Sequence, residues 1–223
     1  MGRPPAALRA RRGAPQLVLL GSINRGAVDK RTEGEALFEA FCQTNALSFQ
    51  PVPVSSGRTP DYVVTLSDDL AYFEIKQIDE DERFTLDGVS SRTVGAHIRQ
   101  KIEDARTQIQ YASSQGKPGV LLVYNNLDHM QLFGTDKHDF ISAMYGEMTI
   151  NLVAGKAVDS FHGRNSKLRP EHNSSFSAVG HLVRTMNGPR VRLFENVYAR
   201  YPLAYEGLPA CFDVVRVEIE DAA

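Results

Sequence analysis

The sequence lacks any apolar run long enough to form a membrane-spanning helix. Hydrophobic residues make up 42% of the 223 residues, yet no apolar segment approaches the ~20 residues that cross a bilayer. The apolar segment at residues 16–20 is too short for the core of a signal peptide, and no small-residue cleavage site follows it. We therefore expect a cytoplasmic protein with no membrane partner.

Cysteine is almost absent, which excludes cysteine-based zinc modules. Cys42 and Cys211 are the only two cysteines, and two thiols alone do not make such a module. Cys42 lies near Phe38 and Phe41 on a predicted helix, which favours a buried free thiol over a disulfide. The six histidines lack the i, i+4 spacing of helical zinc ligands, so the sequence does not indicate a zinc site.

The chain also lacks the strong positive charge that is typical of nucleic-acid-binding domains. Its formal net charge is −2. Basic residues nevertheless outnumber acidic ones between residues 156 and 200, which leaves two interpretations open: a phosphate-binding face or an ordinary solvated surface. These basic residues are Lys156, Arg164, Lys167, Arg169, Arg184, Arg190, Arg192 and Arg200.

Composition and pattern predict three parts. Residues 1–29 are rich in Pro, Ala, Gly and Arg, and we interpret them as a flexible basic tail. Whether this tail contacts DNA or has no specific role stays open. Residues 30–130 are predicted to form a core, and residues 131–223 an α+β elaboration packed on that core.

The first predicted element is a helix over residues 32–45. Thr32 and Glu35 have the spacing of a capping box, and Leu37 and Phe38 belong to an apolar stripe at helical spacing. On a helical wheel Glu35 borders this stripe, so it can face a cleft beside the core. Glu39 lies further round the wheel, and we expect it to be solvated.

The rest of the first half alternates strands with one long helix. A first strand at residues 48–55 is limited by two prolines. A hairpin follows, with strands at 62–66 and 70–78 around a polar turn. A helix at 92–113 and a continuous apolar strand at 120–124 complete the order αβββαβ.

The second half is predicted to be richer in strands. We expect a short helix at residues 136–145 and strands at 148–153, 176–185, 191–198 and 214–219, with a turn at Gly188-Pro189. Together the elements predict an α/β fold whose central mixed sheet is flanked by helices and extended by a β-rich C-terminal part.

Three polar residues on the hairpin form a candidate site. Asp61 lies where the chain enters the first strand, while Glu74 and Lys76 point to the same face of the second strand. A hairpin of this length can bring Asp61 close to Glu74. Two carboxylates beside a lysine predict a site for a divalent cation.

A bland interpretation of these residues is also possible. Asp61 would then cap a turn, and Glu74 would pair with Lys76 on a solvent-exposed face of the sheet. The apolar neighbours Phe73 and Ile75 favour a strand that is covered on both faces, where such charges are costly unless they face a metal or each other.

These motifs resemble the PD-(D/E)xK nuclease superfamily, which has the restriction-endonuclease-like fold. The resemblance covers roughly residues 30–125 and is nearest in motif to archaeal Holliday-junction resolvases. The motifs that carry it are Gly34-Glu35, Ser55-Ser56-Gly57, Pro60-Asp61 and Phe73-Glu74-Ile75-Lys76. The resemblance implies a restriction-endonuclease-like αβββαβ core and a Mg²⁺-dependent endonuclease that hydrolyses DNA, with structure-specific or restriction-like cleavage.

The same resemblance implies roles for individual residues. Asp61 and Glu74 would bind Mg²⁺, for which Mn²⁺ is a possible substitute, and Lys76 would orient the attacking water. Glu35 would hold a second metal ion or a metal-bound water. Further candidates for contact with phosphate or DNA are Ser55, Ser56, Arg58, Lys101 and Gln108. Gln108 and Tyr111 depart from the Gln-x-x-x-Tyr spacing of one subgroup.

Two other functions stay open at the level of sequence. The first is a non-catalytic nucleic-acid-binding or protein-interaction domain on the same fold, in which the acidic side chains diverge. The second is an RNA-cleaving toxin, because the motifs do not exclude RNA as the substrate. A homodimer is compatible with each of these functions.

Overall fold

A computed structural model describes residues 31–53, 58–67, 69–79, 93–128 and 130–218. Within these ranges the chain forms three α-helices and nine strands. The helices are α1 (Glu33–Thr44), α2 (Ala96–Ser114) and α3 (Lys137–Tyr145). The strands are β1 (Phe49–Pro51), β2 (Tyr62–Leu66), β3 (Asp69–Ile78), β4 (Gly119–Asn125), β5 (Met148–Val153), β6 (Lys156–His162), β7 (Phe176–Thr185), β8 (Gly188–Glu195) and β9 (Phe212–Val215). The basic tail and the segment 16–20 lie outside the described residues.

A seven-stranded mixed sheet organises the molecule. Its strand order is β1-β2-β3-β4-β7-β8-β9, and β5 and β6 form a separate two-stranded sheet. Strands β3, β4 and β7 run parallel, whereas β2 with β3 and β7 with β8 are antiparallel pairs. The prediction of an α/β fold with a central mixed sheet is confirmed. Strands β7 to β9 extend the same sheet that the first half of the chain begins.

Local sequence explains why α1 begins where it does. The Thr32 Oγ1 accepts a hydrogen bond from the Glu35 amide at 3.2 Å, and the Glu35 carboxylate accepts one from the Thr32 amide at 2.8 Å. The predicted capping box is therefore confirmed. The apolar stripe of α1 buries Phe38 and Phe41 against the sheet.

The sheet separates two hydrophobic cores. Alternate residues of β4 point to opposite faces, so Val120 and Leu122 pack in the core that α1 covers, whereas Leu121 and Val123 pack in the core beneath α2 and α3. Every residue of β4 is buried. The prediction of a buried parallel strand at this position is confirmed, because β4 pairs in parallel with a neighbour on each side.

The structure corrects several predicted boundaries. Strand β1 covers only three residues, α2 begins four residues later than expected, and β6 was not predicted. The predicted turn at Gly188-Pro189 is wrong, since both residues belong to β8 and the turn lies at Met186 and Asn187. Pro189 is tolerated there because β9 pairs only with residues 191–194, which leaves β8 with one neighbour at that point.

Two further expectations concern the cysteines and membrane spans. Cys42 is buried and Cys211 is partly exposed, and both are free thiols, as predicted. Among the described residues, none of the helices has the length and apolarity that crossing a membrane demands.

Candidate functional site

The hairpin formed by β2 and β3 brings Asp61 opposite Glu74. Tyr62 at the start of β2 pairs with Phe73, so the next pair in this antiparallel register is Asp61 with Glu74. Directly opposed residues point to the same face of a sheet. The Asp61 Oδ2 also accepts a hydrogen bond from the Ile75 amide at 2.7 Å. This bond fixes the orientation of the Asp61 carboxylate beside β3.

Glu74 and Lys76 form a close ion pair in the same place. The Lys76 Nζ lies 2.6 Å from the Glu74 Oε1. The Glu74 side chain is only 2% exposed, whereas the Lys76 side chain is 25% exposed. Their neighbours Phe73 and Ile75 pack on the α1 side, so Glu74 and Lys76 lie on the side that α2 covers. The Lys76 side chain is therefore partly open to solvent, whereas the Glu74 side chain that it contacts is not.

One oxygen of Glu74 is left without a partner. The Glu74 Oε2 is buried and makes no hydrogen bond. A buried carboxylate oxygen in this state is costly, because no protein donor compensates its lost solvation. Such an orphan acceptor beside a second carboxylate is the kind of position that a cation occupies.

Burial raises the pKa values of both acids. Loss of solvation is the main cause that raises the pKa of Asp61 to about 6. The hydrogen bond from the Ile75 amide and the charge of Lys76 act in the opposite direction. Loss of solvation followed by the charge of Asp61 raises the pKa of Glu74 to about 7, against the opposing effect of Lys76. One lysine does not balance two desolvated carboxylates, so the pair attracts either a proton or a cation.

Glu35 lies near this pair but is held differently. Its carboxylate accepts the Thr32 amide in the capping box, and the helix that carries it packs on the opposite face of the sheet. Its charge is nevertheless close enough to raise the pKa of Asp61. Among the described residues, no group of three or more His, Cys, Asp or Glu side chains gathers as a metal site. The site thus presents two converging carboxylates, with Glu35 at its border.

The expectation that Glu39 is solvated is wrong. Its carboxylate accepts a hydrogen bond from the Tyr62 hydroxyl at 2.9 Å and lies 2.8 Å from the Arg31 guanidinium, and its side chain is only 13% exposed. The wheel placed Glu39 away from the stripe of α1, but β2 lies beside that flank of the helix. Tyr62 fills the space there and supplies the partner.

The candidates for contact with phosphate or DNA occupy different environments. Ser55 and Ser56 lie outside the described residues, and Arg58 is exposed. Lys101 and Gln108 are half-buried on α2. The Gln108 Oε1 is buried and has no hydrogen-bond partner.

A ring contact sets the position of Gln108 along the site. The rings of Tyr72 on β3 and Tyr111 on α2 meet edge to face at 5.7 Å. Because the crossover helix α2 runs back along the parallel pair of β3 and β4, Gln108, one turn before Tyr111, lies at the level of Glu74.

Sequence reasoning missed the contribution of Gln77 to the geometry of the site. The Gln77 side chain accepts a hydrogen bond from the Gly34 amide at 2.8 Å, which ties the first turn of α1 to the end of β3. A Cβ at Gly34 would lie 3.3 Å from the Ile75 side chain, so glycine allows this close approach. The alternation of β3 places Gln77 on the same face as Ile75, and that pattern was the available signal.

The donor chemistry of the site fits a hard divalent cation. Mg²⁺ is usually held by one or two carboxylates, with water and substrate phosphate as the other ligands. Asp61 and Glu74 supply two carboxylates, and the unpartnered Glu74 Oε2 is an available ligand. The candidate ligands are oxygen atoms, which suit magnesium rather than zinc.

Comparisons of the chain with protein-family models, with curated proteins and with solved structures found no match. Evidence for the function of the chain therefore comes from its own residues and from the motifs that resemble PD-(D/E)xK nucleases.

Proposed function

We propose that this chain is a Mg²⁺-dependent endonuclease that hydrolyses DNA phosphodiester bonds, with Asp61, Glu74 and Lys76 as its active-site residues. The observation that carries the proposal is the buried Glu74 carboxylate, with one oxygen unpartnered, beside Asp61 and in contact with Lys76. The order αβββαβ and the motif resemblance to PD-(D/E)xK nucleases support the same reaction. Water would attack phosphorus and the bond to the 3′ oxygen would break, leaving a 5′-phosphate and a 3′-hydroxyl.

Asp61 and Glu74 would hold the cation in this proposal. When bound, Mg²⁺ neutralises charge on the scissile phosphate and lowers the pKa of a bound water. The Ile75 amide keeps the Asp61 carboxylate in one orientation, and burial in β3 does the same for Glu74. A site built on paired strands in this way loses little free energy in ordering its ligands.

Lys76 would act on the water and on the developing charge. Its amine is fixed by Glu74 at 2.6 Å, yet a quarter of its side chain remains open to a substrate. An ammonium group in this position can orient a nucleophilic water and offset negative charge on the phosphate in the transition state. Glu35 would add negative charge at the border of the site and support the binding of a cation or its water.

The test of this proposal is a cleavage assay with matched carboxylate and lysine controls. Duplex, branched and single-stranded DNA and RNA are incubated with Mg²⁺ or with EDTA. Asp61→Asn, Glu74→Gln and Lys76→Met should each lower the cleavage rate by about 100-fold or more, since each removes a group that acts in the reaction. Asp69→Asn and Lys117→Met should not, because these residues form an exposed pair 2.6 Å apart at the start of β3.

Cleavage that continues in EDTA, or in Asp61→Asn, contradicts the proposal. Cleavage of RNA alone would keep the chemistry and change the substrate to the one expected of an RNA-cleaving toxin. Glu35→Gln should reduce cation affinity less than Asp61→Asn does, because Glu35 is held by the capping box.

A second candidate is a nucleic-acid-binding domain without catalysis. It is favoured by one observation, namely that the described residues bring only two carboxylates together while Lys76 already neutralises one of them. This candidate predicts DNA binding that is equal in EDTA and Mg²⁺, with no cleavage in either.

A further inference from the structure

The loop between β4 and α3 exposes three large apolar side chains. Met130, Leu132 and Phe133 are 74%, 58% and 42% exposed. Single exposed apolar residues are ordinary on a protein surface, but three so close together along the chain form a patch that indicates an interaction. We call these three residues the apolar ridge.

Polar side chains of the same loop hold the apolar ridge in place. The Asp128 Oδ1 accepts a hydrogen bond from the Met130 amide at 2.9 Å. The Asp128 Oδ2 accepts the Leu132 and Phe133 amides, each at 2.8 Å. The Asn125 side chain donates to the Phe133 carbonyl at 3.0 Å, which ties the ridge to the end of β4. A loop ordered in this way loses little conformational entropy when a ligand covers it.

One groove, of about 850 Å³, is lined both by the apolar ridge and by two arginines of β8. Met130 and Leu132 contribute to its lining, as do Arg190 and Arg192. The two arginines are exposed, and alternation along β8 points them to the same side about 7 Å apart. Arg190 makes no ion pair within the described residues. Arg192 lies 2.6 Å from Asp213, but both side chains are at least half exposed, and such pairs contribute little.

The lining of the groove also includes a buried nitrogen without a partner. His181 lines the groove and is only 7% exposed. Its Nε2 is buried and makes no hydrogen bond. Arg192 is directly opposite His181 on β8, so both side chains lie on the same face of the sheet. An unpaired buried polar atom beside two cations fits a groove that takes an anionic ligand with hydrogen-bonding groups.

The two arginines lie on the face of the sheet that carries Lys76. In the register of the parallel strands Lys76 is opposite Val123, and Val123 is opposite His181. Arg192 follows on β8, three strand spacings or about 14 Å from Lys76. The loop that carries the apolar ridge leaves the sheet at the end of β4, which lies between β3 and β8. The ridge therefore starts between Lys76 and the two arginines.

We propose that the apolar ridge is a wedge that unstacks one base step of bound DNA, while Arg190 and Arg192 hold phosphates of the strand beside it. The inference rests on the proposed function, because it takes DNA as the substrate. Met, Leu and Phe are among the side chains that proteins insert between base steps, together with basic residues that contact the bent duplex. The wedge would open the duplex next to the proposed active site.

Charge favours DNA over a protein as the occupant of this surface. An apolar protein partner would cover the ridge but would bury Arg190 without a counter-charge, which is costly. DNA satisfies both halves of the groove, since its phosphates pair with the arginines and its unstacked bases contact the apolar side chains. Unstacking costs least where bases are mismatched or unpaired. We therefore expect this protein to prefer such DNA to a regular duplex.

The test of the wedge is binding of the full chain to DNA in EDTA, with and without a central mismatch in the duplex. Each duplex carries a fluorescent adenine analogue whose emission rises when it unstacks. Wild type should raise the emission and bind the mismatched duplex about 10-fold more tightly. Met130→Ser with Leu132→Ser should abolish the rise and the preference. Met148→Ser with Ile150→Ser is the matched control, because these residues of β5 are 54% and 51% exposed, and should behave as wild type.

A second pair of variants tests the arginines. Arg190→Gln with Arg192→Gln should weaken binding to both duplexes by about 10-fold or more and reduce the slope of log Kd against log salt by roughly two, since two phosphate contacts are lost. Lys156→Gln with Arg164→Gln removes two exposed cations that do not line the groove and should change neither value. Far-UV circular dichroism checks that each variant is folded.

Three results would each overturn the proposal. One is a wild-type protein that does not bind DNA, another is binding without a rise in emission, and the third is a ridge variant that behaves like its β5 control. Cleavage in Mg²⁺ is measured separately. DNA that is unstacked but never cut keeps the wedge and removes the proposed reaction, whereas cutting at the wild-type rate and mismatch preference by the ridge variant keeps the reaction and removes the wedge.

Discussion

Glu74 is a buried carboxylate whose burial costs the folded protein stability. A neutral side chain at this position of β3 would avoid the loss of solvation that raises the pKa of Glu74. The chain instead keeps a carboxylate that is 2% exposed and has one unpartnered oxygen. Groups that are held in this way are typical of functional sites.

The raised pKa values predict an unusual dependence of stability on pH. In the folded protein Asp61 and Glu74 take up protons near pH 6 and 7, but their ordinary values are 3.8 and 4.5. Between about pH 4 and 7 the folded state thus binds more protons than the unfolded state, so this contribution to stability is present at low pH and is lost as pH rises. In EDTA we expect the melting temperature of wild type, relative to Asp61→Asn with Glu74→Gln, to fall by several degrees from pH 5 to pH 8.

The matched control for this prediction is Asp69→Asn, which replaces an exposed carboxylate of the same strand and should follow wild type. Adding Mg²⁺ at pH 8 should raise the melting temperature of wild type but not of the Asp61, Glu74 double variant, because only the former keeps the two carboxylates proposed to hold the ion. A wild-type curve parallel to that of the double variant would contradict the prediction.

Glu39 and Tyr62 allow a second prediction at the residue scale. Replacing Glu39 with Ala removes the acceptor of the Tyr62 hydroxyl, which belongs to a side chain only 4% exposed. We expect a loss of about 1–2 kcal/mol in the free energy of unfolding. In a double-mutant cycle with Tyr62→Phe, most of this loss should disappear, as measured by denaturant unfolding. Additive losses would show that the hydrogen bond contributes nothing.

The sequence allowed the Asp61–Glu74 approach to be predicted, because strand alternation and hairpin length are local properties. It did not reveal the partner of Glu39, since that partner lies 23 residues away on another element. The capping role of Glu35 was visible in the Thr32–Glu35 spacing. The Glu35 carboxylate turns toward the cap because α1 packs on the face of the sheet opposite Glu74.

At the scale of elements, Gly180 shows how tightly β7 is packed between its neighbours. A Cβ added there would lie 2.7 Å from the Leu122 side chain and 2.8 Å from the Arg192 carbonyl oxygen, which belongs to the backbone of β8. We expect Gly180→Ala to lower the free energy of unfolding by at least about 2 kcal/mol through overpacking. Denaturant unfolding measures this loss directly.

Gly207→Ala is the control for Gly180→Ala. The nearest atom to a Cβ at that position is the Ser67 Oγ at 4.0 Å, and the residue lies in a short 3₁₀ helix. The free energy of unfolding of the Gly207→Ala variant should stay within about 0.5 kcal/mol of wild type. Equal effects of the two substitutions would contradict the packing argument.

Elements with a strong internal signal were predicted well. The periodic stripe of α2 and the unbroken apolar run of β4 identified both, because each is buried in a regular way. Strand β6 was missed because its residues are exposed along their whole length, so burial imposes no pattern on that strand beyond its pairing with β5. The turn at Gly188-Pro189 was misplaced because turn propensity alone does not reveal which edge of β8 is free.

At the scale of the molecule, the order of strands ties both halves of the chain together. Strand β4 lies between β3 and β7, so residues 176–185 cover an edge that the first half of the chain creates. Both hydrophobic cores also combine residues from the two halves, for example Leu122 with Leu182 and Leu121 with Val179. The region of the motif resemblance is therefore only part of the cooperative unit.

This arrangement predicts that residues 31–130 do not fold alone. Expressed as a fragment, they should lack a cooperative thermal transition, because β4 loses its partner β7, the core under α1 loses 7 of its 20 buried residues and the core under α2 loses 8 of its 15. The full chain, heated in parallel and followed by circular dichroism, is the control and should melt in one transition. A fragment that melts cooperatively would contradict this prediction.

The central position of β4 also has a consequence for biosynthesis. A ribosome completes residues 119–125 about fifty residues before it reaches β7, which at ordinary elongation rates is an interval of several seconds. Until β7 is made, one edge of the apolar strand β4 in the nascent polypeptide has no pairing strand. We expect newly made chains to recruit a holding chaperone at this stage, and truncated translation products that end before residue 176 to precipitate.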